Sequence, residues 1–489
     1  MDLLSLYAGL LLPWICGAVW LIFVERYIQP SITPNLFRQI GYGFFLGYAG
    51  LFIAIMICHL TMAAVYWPGI MVFLLLIALT GSFMIWRTPV SNTAIATHPT
   101  QSNSQNRSLA MKLLLAVLLL WTGIHLLIYT IDVYTQPVYP WDAWLAWVYR
   151  AKAWFLAGGI TPVVSAADWA SSGSTATYTI DAWMYPIFPS IVPFWAALSL
   201  GHWSETLVNV PVLFAGLAIG MALYGQCREF GLGLLSSVVC IYLLYSIPLL
   251  GIHIGLAGYA DIWMAGFTGL GFVALIRALA LRLTPGSTGY GLQITLAFMF
   301  LVFSIFVKNE GAVWLMLGLI LLMFLSYRAR VPIMISVCIA MLLLIGFALG
   351  ITQIDLPWIG PLGLQDGRLM IPFIGNFALE IHSIWYSYLT NFFSLGSWNL
   401  FWVLVLTALI LAIPSNANLV AQKVQRIGLT FIVLFLATQF FIFGLTDQGI
   451  WADAFTAINR LPLHFVPALL FASFAILHAR MSNTDHVND

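Results

Sequence analysis

Four short stretches of this 489-residue chain carry side chains whose types and spacing suit chemistry. YPWDAWLAWVYRAKAWF, residues 139–155, sets Asp142 ahead of Tyr149, Arg150 and Lys152 among four tryptophans. HIGLAGYADIWMAGF, residues 253–267, centres on Asp261, and KNEG, residues 308–311, couples Lys308 to Glu310. NRLPLHFVP, residues 459–467, spaces Arg460 and His464 four apart, so a helix would give them one face. A carboxylate can take the proton of an attacking hydroxyl. Arginine and lysine can bind a phosphate and stabilise its charge as it leaves. No P-loop, HExxH, G-x-S-x-G elbow, cysteine cluster or dinucleotide fingerprint is present. No cofactor is therefore expected; a divalent metal is left open.

The elements that must position these groups follow from composition. Hydrophobic residues make up 62% of the chain and charged ones 7%, where a soluble globule carries about a quarter charged. Apolar runs of about 20 residues recur along it, which indicates a polytopic helical bundle and not a barrel. A formal charge of +1 argues against nucleic acid as a partner. Cys16, Cys58, Cys227, Cys240 and Cys338 sit in or beside apolar runs without metal-ligand spacing and read as small fillers. The run Leu3 to Val24 lacks a basic flank and is long for a signal core, so it reads as a retained first span.

The expected fold class is all-α and polytopic, with about 13 transmembrane helices and interfacial helices in the first large outer loop. The expected spans are 4–24, 39–62, 67–86, 109–130, 206–226, 231–251, 258–281, 290–307, 311–327, 331–352, 398–414, 427–446 and 461–479. Residues 186–200 are apolar too, but Pro186, Pro189 and Pro193 break the run, which reads as a membrane-surface or re-entrant segment. With the N-terminus outside, the positive-inside rule places most bases in the cytoplasm and leaves Arg150, Lys152, Lys308, Arg368 and Arg460 outside. Most acids, Asp142 and Asp261 among them, fall outside as well. The chain then divides into three leading helices (1–87), a polar cytoplasmic linker (88–108), a membrane module (109–480) and a cytoplasmic tail (481–489). The module carries outer loops at 131–205 and 353–397; SSGSTAT marks a mobile piece of the first.

At about 100° per residue, Asp142, Tyr149, Arg150 and Lys152 share one helix face. Trp144, Trp147, Ala151, Trp154 and Phe155 share the other, as in an amphipathic helix at the outer interface. An aromatic belt with snorkelling bases also accounts for the tryptophans, but leaves Asp142 unexplained. Asp261, preceded by Gly255 and Gly258, is either an ionisable group at membrane depth, and so functional, or an acid just clear of the hydrocarbon. Lys308 and Glu310 fit a solvated hairpin tip as well as a site. A lone histidine such as His464 is more often structural.

These stretches, in this order over roughly residues 109–480, resemble the GT-C superfamily of polytopic glycosyltransferases, which includes protein mannosyltransferases and the lipid A aminoarabinose transferase. The matching features are an acid early in the first outer loop (WDAWLAWVYRAKAWF), a Pro-rich stretch (YPIFPSIVPFW), an acid at a helix end (GYAD), a basic turn (KNEG) and a late Arg (NRLPLHFVP). The resemblance implies transfer of a sugar from a polyprenyl-phosphate-type lipid donor to a glycan, lipid or protein acceptor, outside a bacterial plasma membrane. It implies Asp142 as the base that activates the acceptor and Asp261 as the second acid. Lys308, Arg150, Lys152 and Arg460 become candidates for the lipid phosphate, and Glu310 would orient Lys308 or bind acceptor. Tyr149 and His464 complete the substrate-binding candidates. The chain departs from the pattern where Ala143 stands beside Asp142 instead of a second acid, and in its three leading spans. The competing class is a transporter or flippase of lipid-linked or amphipathic solutes, although no two similar halves are visible. An O-antigen polymerase or ligase would lean on arginine in the outer loops, where only Arg150 and Arg368 lie.

Overall fold

In a computed structural model the chain is a helical, multi-pass membrane protein. The structure describes residues 2–28, 35–62, 64–88, 108–173, 177–282, 288–326, 341, 353–356, 360–371, 375–413 and 419–484. Among these, seven unbroken helices are long and apolar enough to cross a membrane, and two bent pairs raise the number to nine if each is one span. Three expected passes are the shorter helices Tyr290–Ser304, Glu310–Ser326 and Phe401–Leu411, of 15, 17 and 11 residues. At 1.5 Å per residue they reach about 17 to 26 Å, against about 30 Å of hydrocarbon. The expected span 331–352, most of the 88–108 linker, part of SSGSTAT and the end of the tail lie outside the described residues. The chain forms two compact units, Met1–Leu270 and Gly271–Asp489.

The first unit begins with α1 (Asp2–Ile28), α2 (Leu36–Met62), α3 (Trp67–Arg87) and α4 (Leu109–Thr135). Small residues let backbones touch where lipid supplies no hydrophobic drive. A Cβ on Gly17 would strike the backbone of Gly43 and Gly47, and one on Gly41 would meet the Ala218 carbonyl at 2.6 Å. So α2 is wedged between α1 and α8 (Val210–Phe230). Trp20 Nε1 ties α1 to α3 by donating to the Ile77 carbonyl at 3.1 Å. The three leading helices are thus packed into the same unit as α8. Between α4 and α8 the chain forms a π-helical turn (Ala143–Trp147), α5 (Val148–Ala157), α6 (Ala166–Ser172) and α7 (Phe188–Leu200). A two-stranded parallel pair, β1 (Val163–Val164) with β2 (Tyr178–Thr179), flanks α6.

The apolar segment 186–200 becomes α7, 13 residues long and buried along nearly its whole length. That is about 20 Å, short of a crossing. It is sealed by Trp195 Nε1, which donates to the Gly9 carbonyl at 2.8 Å, and by Trp67 Nε1, which donates to Ser199 at 2.9 Å. The aromatic centre of the unit is Trp263, packed by Phe44, Phe45, Tyr48 and Phe188.

In the second unit, the helices Tyr290–Ser304 and Glu310–Ser326 form a hairpin, and Gly311 lies against the Ser304 backbone with no room for a Cβ. Helix Leu419–Gly444 packs on Val466–Thr484, with Phe272, Phe431, Phe435 and Phe465 in one aromatic cluster. The second outer loop, 353–397, has regular structure of its own. It holds an antiparallel meander, β3 (Gln353–Leu356), β4 (Gly360–Gln365), β5 (Arg368–Ile371) and β6 (Gly375–Ala378). Gln365 pairs with Arg368 across the two-residue loop Asp366-Gly367, whose φ angles of 51° and 73° make it a primed hairpin turn.

Candidate functional site

Asp261 owes its position to a broken helix. α9 (Leu234–Tyr245) and α10 (Pro248–Gly255) meet at a 63° bend. Pro248 supplies no N–H, and the residue before it, Ile247, is extended at ψ 111°, so the ladder cannot continue. After α10 the chain turns through Gly258, at φ +122°, and re-enters a helix at Asp261, the first residue of α11 (Asp261–Met264). His253 stands in the last turn of α10 and Asp261 in the first turn of the next helix, the end that favours a carboxylate.

Both side chains are buried, Asp261 at 0% exposure. His253 Nε2 lies 3.7 Å from Asp261 Oδ2, an ion-pair distance slightly beyond a direct hydrogen bond. His253 Nδ1 sits 2.8 Å from the Leu249 carbonyl, so it carries the proton and Nε2 faces the carboxylate. Tyr259 packs on the imidazole with centroids 4.5 Å apart. From α4, Tyr129 donates to the Tyr245 carbonyl, and Asp132 lies where a Cβ on Gly255 would meet its Oδ2 at 2.9 Å. Asp261 is therefore a carboxylate inside the protein with a histidine partner, and no solvent-facing acid.

The WDAW segment lies against this loop. A Cβ on Gly258 would meet Ala143 Cβ at 2.6 Å and Val148 Cγ2 at 3.5 Å, so only glycine permits the approach. Asp142, half-buried, stands immediately before the π-helical turn Ala143–Trp147. A second such turn, Ala265–Gly269, follows Asp261 directly after α11. Each π turn inserts a residue into the helical ladder, and such bulges recur at functional sites.

That insertion also corrects the expected faces of the segment. Trp147 and Trp154 point into the protein, against Tyr185 and Phe194 at 5.4 and 5.9 Å, whereas Trp144 is exposed. Tyr149 is exposed, but the neighbouring Arg150 is buried at 1% exposure. Arg150 donates to the Tyr185 and Ala182 carbonyls at 3.0 and 2.9 Å, pinning the turn that follows Asp181. Burial lowers its pKa to about 10. Lys152 stays half-exposed, paired with Glu205 at 2.5 Å, its ammonium 5.8 Å from the Trp203 ring. The polar residues therefore do not form one stripe; Arg150 serves the interior and Lys152 the surface.

In the second unit, Lys308 is 6% exposed and lies 3.3 Å from Glu310. A solvated hairpin tip is not what the turn presents. His464 is fully buried, and Trp314 Nε1 donates to its Nδ1 at 3.1 Å, which leaves the proton on Nε2. It sits at the 60° bend between Ala457–Leu463 and Val466–Met481, and the half-buried Arg460 stands on the first of these helices. The structure thus joins Lys308 to Glu310 and His464 to Trp314. Within the first unit it sets the Asp142 segment on the loop that delivers Asp261.

Among the described residues, no group of three or more His, Cys, Asp or Glu side chains is placed to hold a metal ion. Sequence reasoning missed His253, although it lies eight residues before Asp261 in the same apolar stretch. An ionisable side chain at membrane depth was its signal. Comparisons with protein-family models, curated proteins and solved structures return no match. Chemically, the first unit offers a desolvated carboxylate–histidine pair and a more accessible carboxylate on a segment packed beside it. These groups suit moving a proton next to an apolar surface.

Proposed function

We propose that the protein is a membrane glycosyltransferase acting on the outer face of a bacterial plasma membrane. In this reading the acceptor hydroxyl attacks the anomeric carbon of a polyprenyl-phosphate sugar. The new glycosidic bond forms as the bond to the phosphate oxygen breaks, the hydroxyl proton passes to Asp142, and polyprenyl phosphate departs. Asp261, with His253 Nε2 3.7 Å away, is the second acid, in a GT-C-like bundle of about 13 passes. The observation that carries the reading is the close seat of the Asp142 segment on the Gly258 loop, which brings the surroundings of both acids together.

The bent helix pairs, at 63° and 60°, favour a second reading, because discontinuous spans with buried charges are a transporter's means of holding a solute. One assay separates the two. Purified protein in liposomes is given radiolabelled polyprenyl-phosphate hexoses and pentoses with candidate glycan, lipid and protein acceptors. The enzyme reading expects cleavage of the sugar–phosphate bond, falling about 10²- to 10⁴-fold in Asp142→Asn. Movement of intact donor between leaflets without cleavage would establish the transporter instead.

A further inference from the structure

A third π-helical turn, Thr390–Ser394, lies in the second unit. Around it, among the described residues, the Tyr388 hydroxyl, Asn391 Oδ1, Trp402 Nε1 and both ends of the Gln439 amide are buried with no hydrogen-bond partner. Asn391, Gln439 and Trp402 are 0%, 1% and 2% exposed. They belong to one packed neighbourhood. Tyr388 meets Phe392 edge-on at 5.0 Å, Phe392 stacks on Trp402 at 4.0 Å, and Trp402 lies parallel to Phe435 at 6.4 Å. Gln439 follows Phe435 by four residues on the same buried face of its helix. Asn391 is oriented by its own Nδ2, which donates to the Ser387 carbonyl at 2.7 Å; Ser387 in turn donates to Asp453 at 3.1 Å.

An unpaired buried polar group weakens folding, and apolar residues of the same shape would fill this place at less cost. Buried polar groups are ordinarily paired, so several unpaired ones gathered together offer partners to a polar ligand. Their chemistry is specific: hydroxyl, indole and amide donors alternate with amide and hydroxyl acceptors, beside aromatic rings and without a charge among them. A phosphate would need arginine or lysine, and a hard cation would need carboxylates. A hydroxyl both donates and accepts, and sugar rings present hydroxyls at their rim and C–H faces to aromatics. We infer that Tyr388, Asn391, Trp402 and Gln439 form a binding subsite for a neutral sugar ring within the second unit. The inference takes from the sugar-transfer reading only the class of ligand.

The test is the thermal midpoint of the full chain in detergent, titrated with methyl glycosides of glucose, galactose, mannose and xylose against glycerol as an osmolyte control. A saturable rise with at least one glycoside is expected in the wild type. In Gln439→Leu and Tyr388→Phe the apparent affinity should fall at least about tenfold, while the ligand-free midpoint stays level or rises because an unpaired polar group is gone. No rise beyond glycerol in the wild type, or equal rises in both variants, would overturn the subsite. Asp142→Asn should retain the rise. A chain that binds in this way yet never cleaves the donor would sink the enzyme reading and leave the subsite standing.

Discussion

Asp261→Asn is expected to reduce sugar transfer by about 10²- to 10⁴-fold while the chain remains inserted and folded. The carboxylate is entirely buried, with His253 Nε2 3.7 Å from it. An amide of the same shape accepts a hydrogen bond but cannot take or return a proton. The fold should tolerate the change because histidine can stay neutral beside an amide, and no lone charge is stranded in the interior. His253→Gln separates positioning from proton transfer: it should lower turnover less than Asp261→Asn and shift the pH profile, since the imidazole no longer answers the carboxylate. Donor-cleavage rates across pH, with thermal midpoints as the folding control, measure both. Asp261→Asn retaining more than about a tenth of wild-type turnover would remove Asp261 from the chemistry.

Arg38→Met carries the largest expected loss of stability. Arg38 forks onto both oxygens of Glu25 at 2.6 and 2.7 Å, its Nε meets Glu229 at 2.6 Å, and Gln39 adds a bond to Glu25 at 2.6 Å. This cluster ties α1 and α2 to the end of α8. Removing the cation leaves Glu25 buried without its counter-charge, which costs about 3–5 kcal/mol. Detergent unfolding should therefore begin at a lower temperature, with α1–α3 released first in proteolysis. Adding Glu25→Leu and Glu229→Gln to Arg38→Met should restore most of the loss, because the stranded charges go with the cation. An Arg38→Met protein as stable as the wild type would show that the cluster contributes nothing.

Much of the helical layout was legible because bilayer thickness sets the length of an apolar run, so α1–α4 and α8 could be read from composition alone. The breaks were harder. Proline marks both bent pairs, at Pro248 and at Pro462, but the apolar runs continue across them. Within the meander, Asp366-Gly367 is a hairpin signal in the sequence, but the strands on either side are too short to stand out from the apolar background. The positive-inside rule counts Arg38 among the cytoplasmic bases, but could not show that it pairs with Glu25 of α1 and Glu229 of α8. Arg150 was read as a clamp, but spends its guanidinium on the Ala182 and Tyr185 carbonyls. A periodicity argument could not foresee a π turn that adds a residue between Asp142 and Tyr149. Asp142 and Asp261 were found because acids are rare in such a chain; what was not legible was that Gly258 carries the Asp142 segment onto the loop before Asp261.

In the proposed reaction a lipid phosphate and its sugar meet the protein beside the Gly258 loop. The most direct measurement is a cryo-electron microscopy map of the chain with a bound polyprenyl phosphate. Density for the headgroup is expected there, bordered by Asp142 and Asp261. Headgroup density at the Arg38–Glu25–Glu229 end of α8, with none near Asp261, would contradict this placement.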